Sequence, residues 1–378
     1  MQIPDAIRID SGVPDIREQI AALPNSAGIY LLEIAGKPPH LSSSVNLKRR
    51  LLRLLVADKN VQAPSLGRLR DALLGVQCWA TGSRLESSLL LYSLAQKYYP
   101  GQERKRLRLR PPWFIGFNSP DLFPHLATLG RIPRQLNLIF GPFRTREVAQ
   151  HYEEEIESLF QIRRCTEALT PSPDHPGCIY GEMKQCLRPC QSAVTREEYA
   201  SEAKRVAEFL ADNGTGMVSS LTIARDRAAG ETEFELAAQL HKRIEKIKSV
   251  SGVRPEGIAE IHQLNGVAVT RGLAPFRFRL WPMLEGYWQE PVDLCIQAEA
   301  AQTKSLDQQL RETLTRACSM PQQVGDRLDG LALFLRWFHS SWRDGDWLPF
   351  KTLADLNYRK LVRAVSKMAK DAAQTVAQ

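Results

Sequence analysis

Four of the chain's seven cysteines, Cys165, Cys178, Cys186 and Cys190, fall within 26 residues in the spacing C-x12-C-x7-C-x3-C, while Cys78, Cys295 and Cys318 are scattered. The N-terminus, Met-Gln-Ile-Pro-Asp-Ala-Ile-Arg-Ile-Asp, has no charged segment followed by an apolar signal core. Export is therefore not expected, and the reading is cytoplasmic. In a reducing compartment, clustered thiols point to a metal site before they point to disulfides. Four soft thiolates suit tetrahedral zinc or an iron–sulfur cluster alike. The competing reading, small buried thiols, fits isolated cysteines better than four in one polar, proline-rich segment. The stretch Cys186-Leu-Arg-Pro-Cys190 closes a tight turn.

A chain of 378 residues exceeds what one hydrophobic core usually supports, so two to four domains are expected. The apolar fraction of 43% and charged fraction of 24% are those of a globular protein. No apolar run approaches the roughly 18 residues of a membrane span. The net charge of +8 favours a polyanionic partner, and its distribution sharpens that. Arg104, Lys105, Arg106, Arg108 and Arg110 form one run, and Lys48, Arg49, Arg50 and Arg53 another. On a helix Arg49, Arg50 and Arg53 can share a face. Either run alone is as readily a solvated surface as a phosphate contact.

Residues 25–100 read as a small α/β unit. Gly28 to Ile34 is an apolar strand, Ala35 to Pro39 a turn, and Asn46 to Val56 a helix capped by Asn46. A second helix runs from Ser83 to Tyr98, with Ser83 and Glu86 at capping-box spacing. Phe114 to Phe117 and Leu136 to Phe140 are strand-like, Phe140-Gly-Pro-Phe143 a turn, and Arg146 to Phe160 a helix. Thr195 opens a helix to Asp212, stopped by Asn213-Gly214. Two helices around Gly230 form an αα-hairpin. Residues 257–290 alternate as strands do, with Asn265-Gly266 expected as a type I′ hairpin turn. The last 75 or so residues read as helical; Trp337, Trp342 and Trp347 within them are expected in a core, with a base-stacking surface as the alternative.

These pieces, in this order, resemble the UvrC family, the nuclease subunit of bacterial nucleotide excision repair. Gly28-Ile29-Tyr30 is similar to the first half-motif of its GIY-YIG nuclease domain, and Asn46-Leu-Lys-Arg-Arg50-Leu51 to the helix bearing its catalytic arginine. The segment Cys178 to Cys190 resembles the family's cysteine signature, which implies that Cys165, Cys178, Cys186 and Cys190 hold a [4Fe-4S] cluster, with zinc as the alternative. Phe234-Glu235-x-Ala237-Ala238 with Ile244 resembles the UVR motif, which implies docking on a UvrB-like partner. The resemblance spans about residues 20–290. It implies an α+β multidomain chain: a degenerate GIY-YIG-like domain at 20–100, a basic linker and cysteine-cluster helical region at 101–215, a UVR helical hairpin at 216–251, a β-rich segment at 252–300 and a helical C-terminal region at 301–378. DNA contact falls to Arg49, Arg53, Arg104, Lys105, Arg106 and Arg108.

The departures bear on chemistry. A GIY-YIG nuclease uses a phenol or neighbouring group to activate water, an arginine to neutralise the phosphorane, and a carboxylate holding one divalent metal. Tyr30 and Arg50 keep two of these. The second half-motif reads His40-Leu-Ser-Ser43, and Leu91 stands where the metal-binding glutamate belongs. Glu86, five residues earlier, lies about 500° around the helix and faces elsewhere, so an apolar residue is left at the metal position. The expectation is a dead or impaired nuclease centre. A rescue would need His40 as base and Glu86 or Glu103 as ligand. In the hairpin, His241-Lys242 replaces the family's usual Arg-Asp. The family's C-terminal RNase H-like nuclease and helix-hairpin-helix elements are not evident, so the chain reads as truncated. Three functions follow: a UvrC-like excision-repair protein with weak or absent incision, a non-catalytic adaptor or competitor that docks on UvrB or DNA, and an iron–sulfur redox-responsive DNA-binding module.

Overall fold

The computed structural model of the chain describes residues 1–10, 16–56, 72–117, 122–133, 138–296 and 304–376. These form two compact units, Met1–Arg110 with Asn265–Gln378, and Pro111–Leu264. The fold is mixed α and β, with antiparallel sheets.

The first unit begins with strand β1 (Ile7–Asp10), helix α1 (Ile16–Ala21) and strands β2 (Ala27–Ile34) and β3 (His40–Ser44). Helix α2 (Leu47–Leu51) continues as a wider π-helical turn over Leu52–Val56, and strand β4 (Leu73–Thr81), helix α3 (Arg84–Tyr98) and short helix α4 (Glu103–Leu107) follow. The strands form one sheet in the order β1-β4-β2-β3, every pair antiparallel. The caps arise where short polar side chains precede apolar periodicity. Asn46 accepts the Arg49 N–H, and Ser83 accepts the Glu86 N–H. Alternation along β2 sends Tyr30 and Leu32 into one apolar cluster with Leu47, Leu51 and Leu54. It sends Ile29 and Leu31 into another with Trp79, Leu90 and Leu94 of the opposite face. Gly28 is required where β2 meets β4: a Cβ there would stand 2.5 Å from the Trp79 carbonyl oxygen.

The second unit holds strands β5 (Trp113–Phe117), β6 (Leu126–Leu129) and β7 (Leu138–Phe143), helices α5 (Arg146–Glu157), α6 (Ile179–Glu182), α7 (Arg196–Asp212), α8 (Thr215–Gly230) and α9 (Phe234–Val253), and strand β8 (Ala259–Glu260). Its sheet order is β6-β5-β7-β8. Phe140-Gly-Pro-Phe143, expected as a turn, is the end of β7. Phe140 pairs with Ile115 and Phe143 with Trp113, so Gly141 and Pro142 together oppose Phe114 alone. That two-against-one arrangement is a bulge, one of the few places a sheet admits a proline. Residues 136 and 137 of the expected strand lie outside the described residues. Helices α5 and α7 bury Tyr152, Ile156, Tyr199, Val206 and Phe209 against the sheet in one core. Thr195 and Glu198 complete a capping box on α7. Helices α8 and α9 form the expected hairpin, turning at Gly230–Glu233.

The chain then returns to the first unit with strands β9 (Asn265–Arg271), β10 (Arg277–Leu284), β11 (Tyr287–Trp288) and β12 (Val292–Cys295), helices α10 (Leu306–Ser319) and α11 (Arg327–Phe338), strand β13 (Gly345–Phe350) and helix α12 (Tyr358–Val376). The sheet runs β11-β10-β9-β13, with β12 also on β10. Two expectations fail here. Asn265-Gly266 is not a hairpin turn but the start of β9, paired with Phe350 and Pro349. A Cβ on Gly266 would stand 2.2 Å from the Trp347 ring, so glycine seats the tryptophan rather than turning the chain. The C-terminal region is likewise not all helix, because β13 completes the sheet. Trp337 and Trp347 are buried as expected of a core; Trp347 lies 4.8 Å from Phe334 and 6.2 Å from Trp288, centroid to centroid.

Candidate functional site

Strand β2 and helix α2 bring Tyr30 and Arg50 together. Tyr30 is buried on the strand, Arg50 lies one turn into the helix capped by Asn46, and Arg50 Nε–H donates to the Tyr30 hydroxyl at 3.3 Å. They line a cavity of about 430 Å³ with His40, Lys37 and Arg106, and with the apolar Leu32, Ile34, Leu54, Pro38 and Pro39. The His40 ring centroid is 6.4 Å from that of Tyr30. Burial lowers the His40 pKa, and the Arg106 and Arg50 guanidiniums lower it further, so the imidazole is neutral near pH 7.

Among the described residues, no carboxylate lines this cavity. Glu86 is engaged elsewhere in the first unit. One of its oxygens accepts the Gly82 N–H at 2.9 Å, and the other meets Arg279 Nη1 of β10 at 2.5 Å. Burial holds its pKa above the ordinary carboxylate value, against the pull of Arg279. Arg279 in turn grips Asp293 through Nε at 2.7 Å and Nη2 at 3.1 Å. Glu103 does not line the cavity either, and its Oε2 is buried without a hydrogen-bond partner. Leu91 packs on the Ile29/Leu31 side of the sheet, away from Tyr30. It lines a separate cavity of about 240 Å³ with Ser43, Ser88 and Trp342.

The basic residues divide. Arg104 is bound by α11, through Nε to Asp329 Oδ1 at 2.6 Å and Nη2 to Asp326 Oδ1 at 3.4 Å. The same Asp329 accepts the Tyr92 hydroxyl at 2.6 Å. Arg106 lies 3.5 Å over the Tyr99 ring and faces the cavity. Lys105, Arg108, Arg49 and Arg53 are exposed. Sequence reasoning missed Lys37, which reaches the cavity from the β2–β3 turn, and Arg279, whose strand is remote in sequence from Glu86.

In the second unit, Cys186 and Cys190 are buried, Cys165 is partly buried and Cys178 is exposed. Burial pushes the Cys186 thiol up to about 11, and Cys165, Cys178 and Cys190 add to that rise. Cys186 Sγ accepts the Arg188 N–H at 3.4 Å, and Arg163 Nη1 lies 3.9 Å from Cys165 Sγ. Lys184, Arg188 and Ser192 take left-handed backbone conformations that fold the segment back on itself. Among the described residues, no group of three or more His, Cys, Asp or Glu is placed to hold a metal ion. On the hairpin, Phe234, Glu235 and Ala238 are exposed, Ala237 is half-buried and Ile244 is buried. Leu236 and Ile223 are exposed as well. No described helix is long and apolar enough to cross a membrane.

No solved structure matches the chain. Three curated relatives are similar to it, each called UvrABC system protein C. That of Bdellovibrio bacteriovorus is 28% identical over 240 residues, 62% of this chain and 37% of the relative. That of Ruminiclostridium cellulolyticum is 26% identical over 242 residues, 63% and 39%. That of Limosilactobacillus fermentum is 28% identical over 235 residues, 62% and 37%. The chain thus spans less than two-fifths of the length of these relatives. Residues 113–209, from β5 through the cysteine segment to α7, match the UvrC/Cho excinuclease middle domain. With that domain in its second unit and these relatives beside it, the chain is UvrC-like over 62% of its length.

Proposed function

We propose that this protein is a UvrC-like, DNA-binding component of nucleotide excision repair whose residues 20–100, a degenerate GIY-YIG-type domain, grip phosphate without metal-dependent incision. The observation that carries the reading is the cavity around Tyr30 and Arg50, cationic and, among the described residues, free of carboxylates. Divalent magnesium or manganese needs oxygen ligands of negative charge. Without them no bound metal activates water or neutralises the leaving oxygen. Arg50, Lys37 and Arg106 still offer positive charge to a phosphate.

Two further assignments belong to this reading. Cys165, Cys178, Cys186 and Cys190 are the ligand set for a [4Fe-4S] cluster, with zinc as the alternative. The soft donor set, gathered in one segment, and the N–H donated to Cys186 support it. Such a group would supply a structural cross-link between the loops that carry it. The α8–α9 hairpin is the docking element for a UvrB-like partner, supported by exposed Phe234, Leu236 and Ile223 near its turn. The adaptor reading differs from the leading one only in whether any cutting remains.

An incision assay on damaged duplex DNA with magnesium or manganese decides this. The expected result is salt-dependent binding with no cutting under either metal. Cutting that Arg50→Ala abolishes would overturn the non-catalytic reading, leaving neutral His40 as the base to examine.

A further inference from the structure

The cavity beside Tyr30 is more specific than a basic patch, because separate contacts fix its cations. Arg50 is held by the Tyr30 hydroxyl at 3.3 Å. Arg106 is held over the Tyr99 ring, its Cζ 3.5 Å from the ring centroid. The Tyr99 hydroxyl donates to the Pro39 carbonyl and accepts the Leu41 N–H at 3.2 Å, so one side chain anchors both Arg106 and the proline rim. Among the described residues Lys37, Arg50 and Arg106 form no salt bridge. Three positive charges, two of them held in place, thus converge with no carboxylate among the described lining residues, and Arg106 and Arg50 add to the burial that lowers the proton affinity of His40.

The charge balance selects the ligand. A phosphodiester brings one negative charge, whereas a terminal phosphate monoester brings about 1.5 to 2 near neutral pH. Three cations facing no carboxylate gain more from the second. The remaining wall is apolar, formed by Leu32, Leu54, Pro38 and Pro39, and the 430 Å³ volume lies in the range of small-molecule sites. One nucleoside attached to the phosphate has a surface to rest on.

We propose that this cavity binds a nucleoside phosphate monoester, its phosphate held by Lys37, Arg50 and Arg106 and its nucleoside laid against the proline rim. Two sources share that chemistry, a phosphorylated strand end at a nick and a free nucleotide. The proposal rests on the phosphate-gripping reading above and gives it a ligand class.

The test measures full-chain binding to nicked duplexes that carry a phosphate or a hydroxyl at the nick, with dAMP and deoxyadenosine as competitors. The expected result is at least tenfold tighter binding of the phosphorylated nick. Lys37→Ala/Arg106→Ala should bring the ratio toward one; both residues are exposed, and an unchanged melting temperature confirms folding. Displacement by dAMP but not deoxyadenosine supports the site with the free nucleotide as ligand. Displacement by phosphorylated DNA alone supports it with the strand end as ligand. Equal affinity for both nicks, or a preference that survives the double substitution, overturns the proposal. If salt-dependent duplex binding persists in that case, the DNA-binding reading stands; loss of all DNA binding overturns that reading instead.

Discussion

The Glu86–Arg279–Asp293 network yields the sharpest test of why Glu86 is unavailable to a metal. Glu86 is 7% exposed, and its contact to Arg279 is 2.5 Å long. Replacing Arg279 with Met leaves a buried carboxylate with only the Gly82 N–H at 2.9 Å for support. Breaking a buried pair from one side costs about 3–5 kcal/mol, because the remaining charge is uncompensated. The Arg279 side chain is 27% exposed, which favours the low end, about 3 kcal/mol. For a unit of 150–250 residues that corresponds to a fall of about 6–12 °C in Tm. The sign of the pH effect is fixed. Burial already holds the Glu86 pKa above its unfolded value, and loss of Arg279 raises it further. The folded state then binds the proton more tightly, so stability falls as pH climbs from the unfolded carboxylate pKa through the folded one. Calorimetry of Arg279→Met should show a larger deficit at pH 8 than at pH 5. Glu86→Gln/Arg279→Met, with no buried charge to strand, should recover part of it. A Tm loss under about 2 °C, equal deficits at both pH values, or no recovery in the double variant would refute the reasoning.

Two predictions concern the second unit. Burial raises Glu157 to about 7, with Arg164 Nε at 3.6 Å opposing. The wild type should therefore lose stability between about pH 4.5 and 7, and Glu157→Gln, which mimics the neutral acid, should flatten that slope and gain about 1–3 kcal/mol at pH 8. Identical pH profiles would remove Glu157 from the account. Protein purified without oxygen should carry iron and sulfide in equal amounts, greatly reduced in Cys186→Ala and retained in Cys295→Ala. One equivalent of zinc in colourless protein would replace the cluster with the alternative metal, and metal-free wild type would eliminate both.

Local signals were legible in the sequence and distant ones were not. Asn46, Ser83 and Thr195 each cap the helix they announce, because a cap needs only a side-chain acceptor two or three residues from a free N–H. Tyr30 and Arg50 meet because a strand and the helix two elements later share one apolar cluster. Pro142 misled because a proline signals a turn far more often than a bulge, and only the partner strand shows that two residues oppose Phe114. Gly266 misled for a similar reason, its requirement being set by Trp347, 81 residues later in the chain. Leu91 was readable as an apolar residue where the resemblance expects a metal ligand. What occupies Glu86 was not, since Arg279 is 193 residues away and belongs to another strand system.

The basic run at 104–110 illustrates how charge counted along a sequence overstates charge offered to a polyanion. Affinity for DNA rises with the counterions released from phosphates, so a cation contributes only when phosphate is its best partner. Arg104 already has Asp329 at 2.6 Å; the Arg104 side chain is 59% exposed, but Asp329 is only 4% exposed, so the carboxylate has little water to turn to if the arginine leaves. Exchanging that carboxylate for a phosphate would leave Asp329 buried beside Tyr92 without its cation, a loss that one phosphate contact does not offset. Arg106, two residues on, is held by an aromatic face, which positions a guanidinium without neutralising it. One short segment thus supplies an ion-paired cation from Arg104 and a cavity-lining one from Arg106. Net charge and spacing cannot separate the two. The separation comes from the partners, an aspartate of α11 for the first and a tyrosine at the end of α3 for the second.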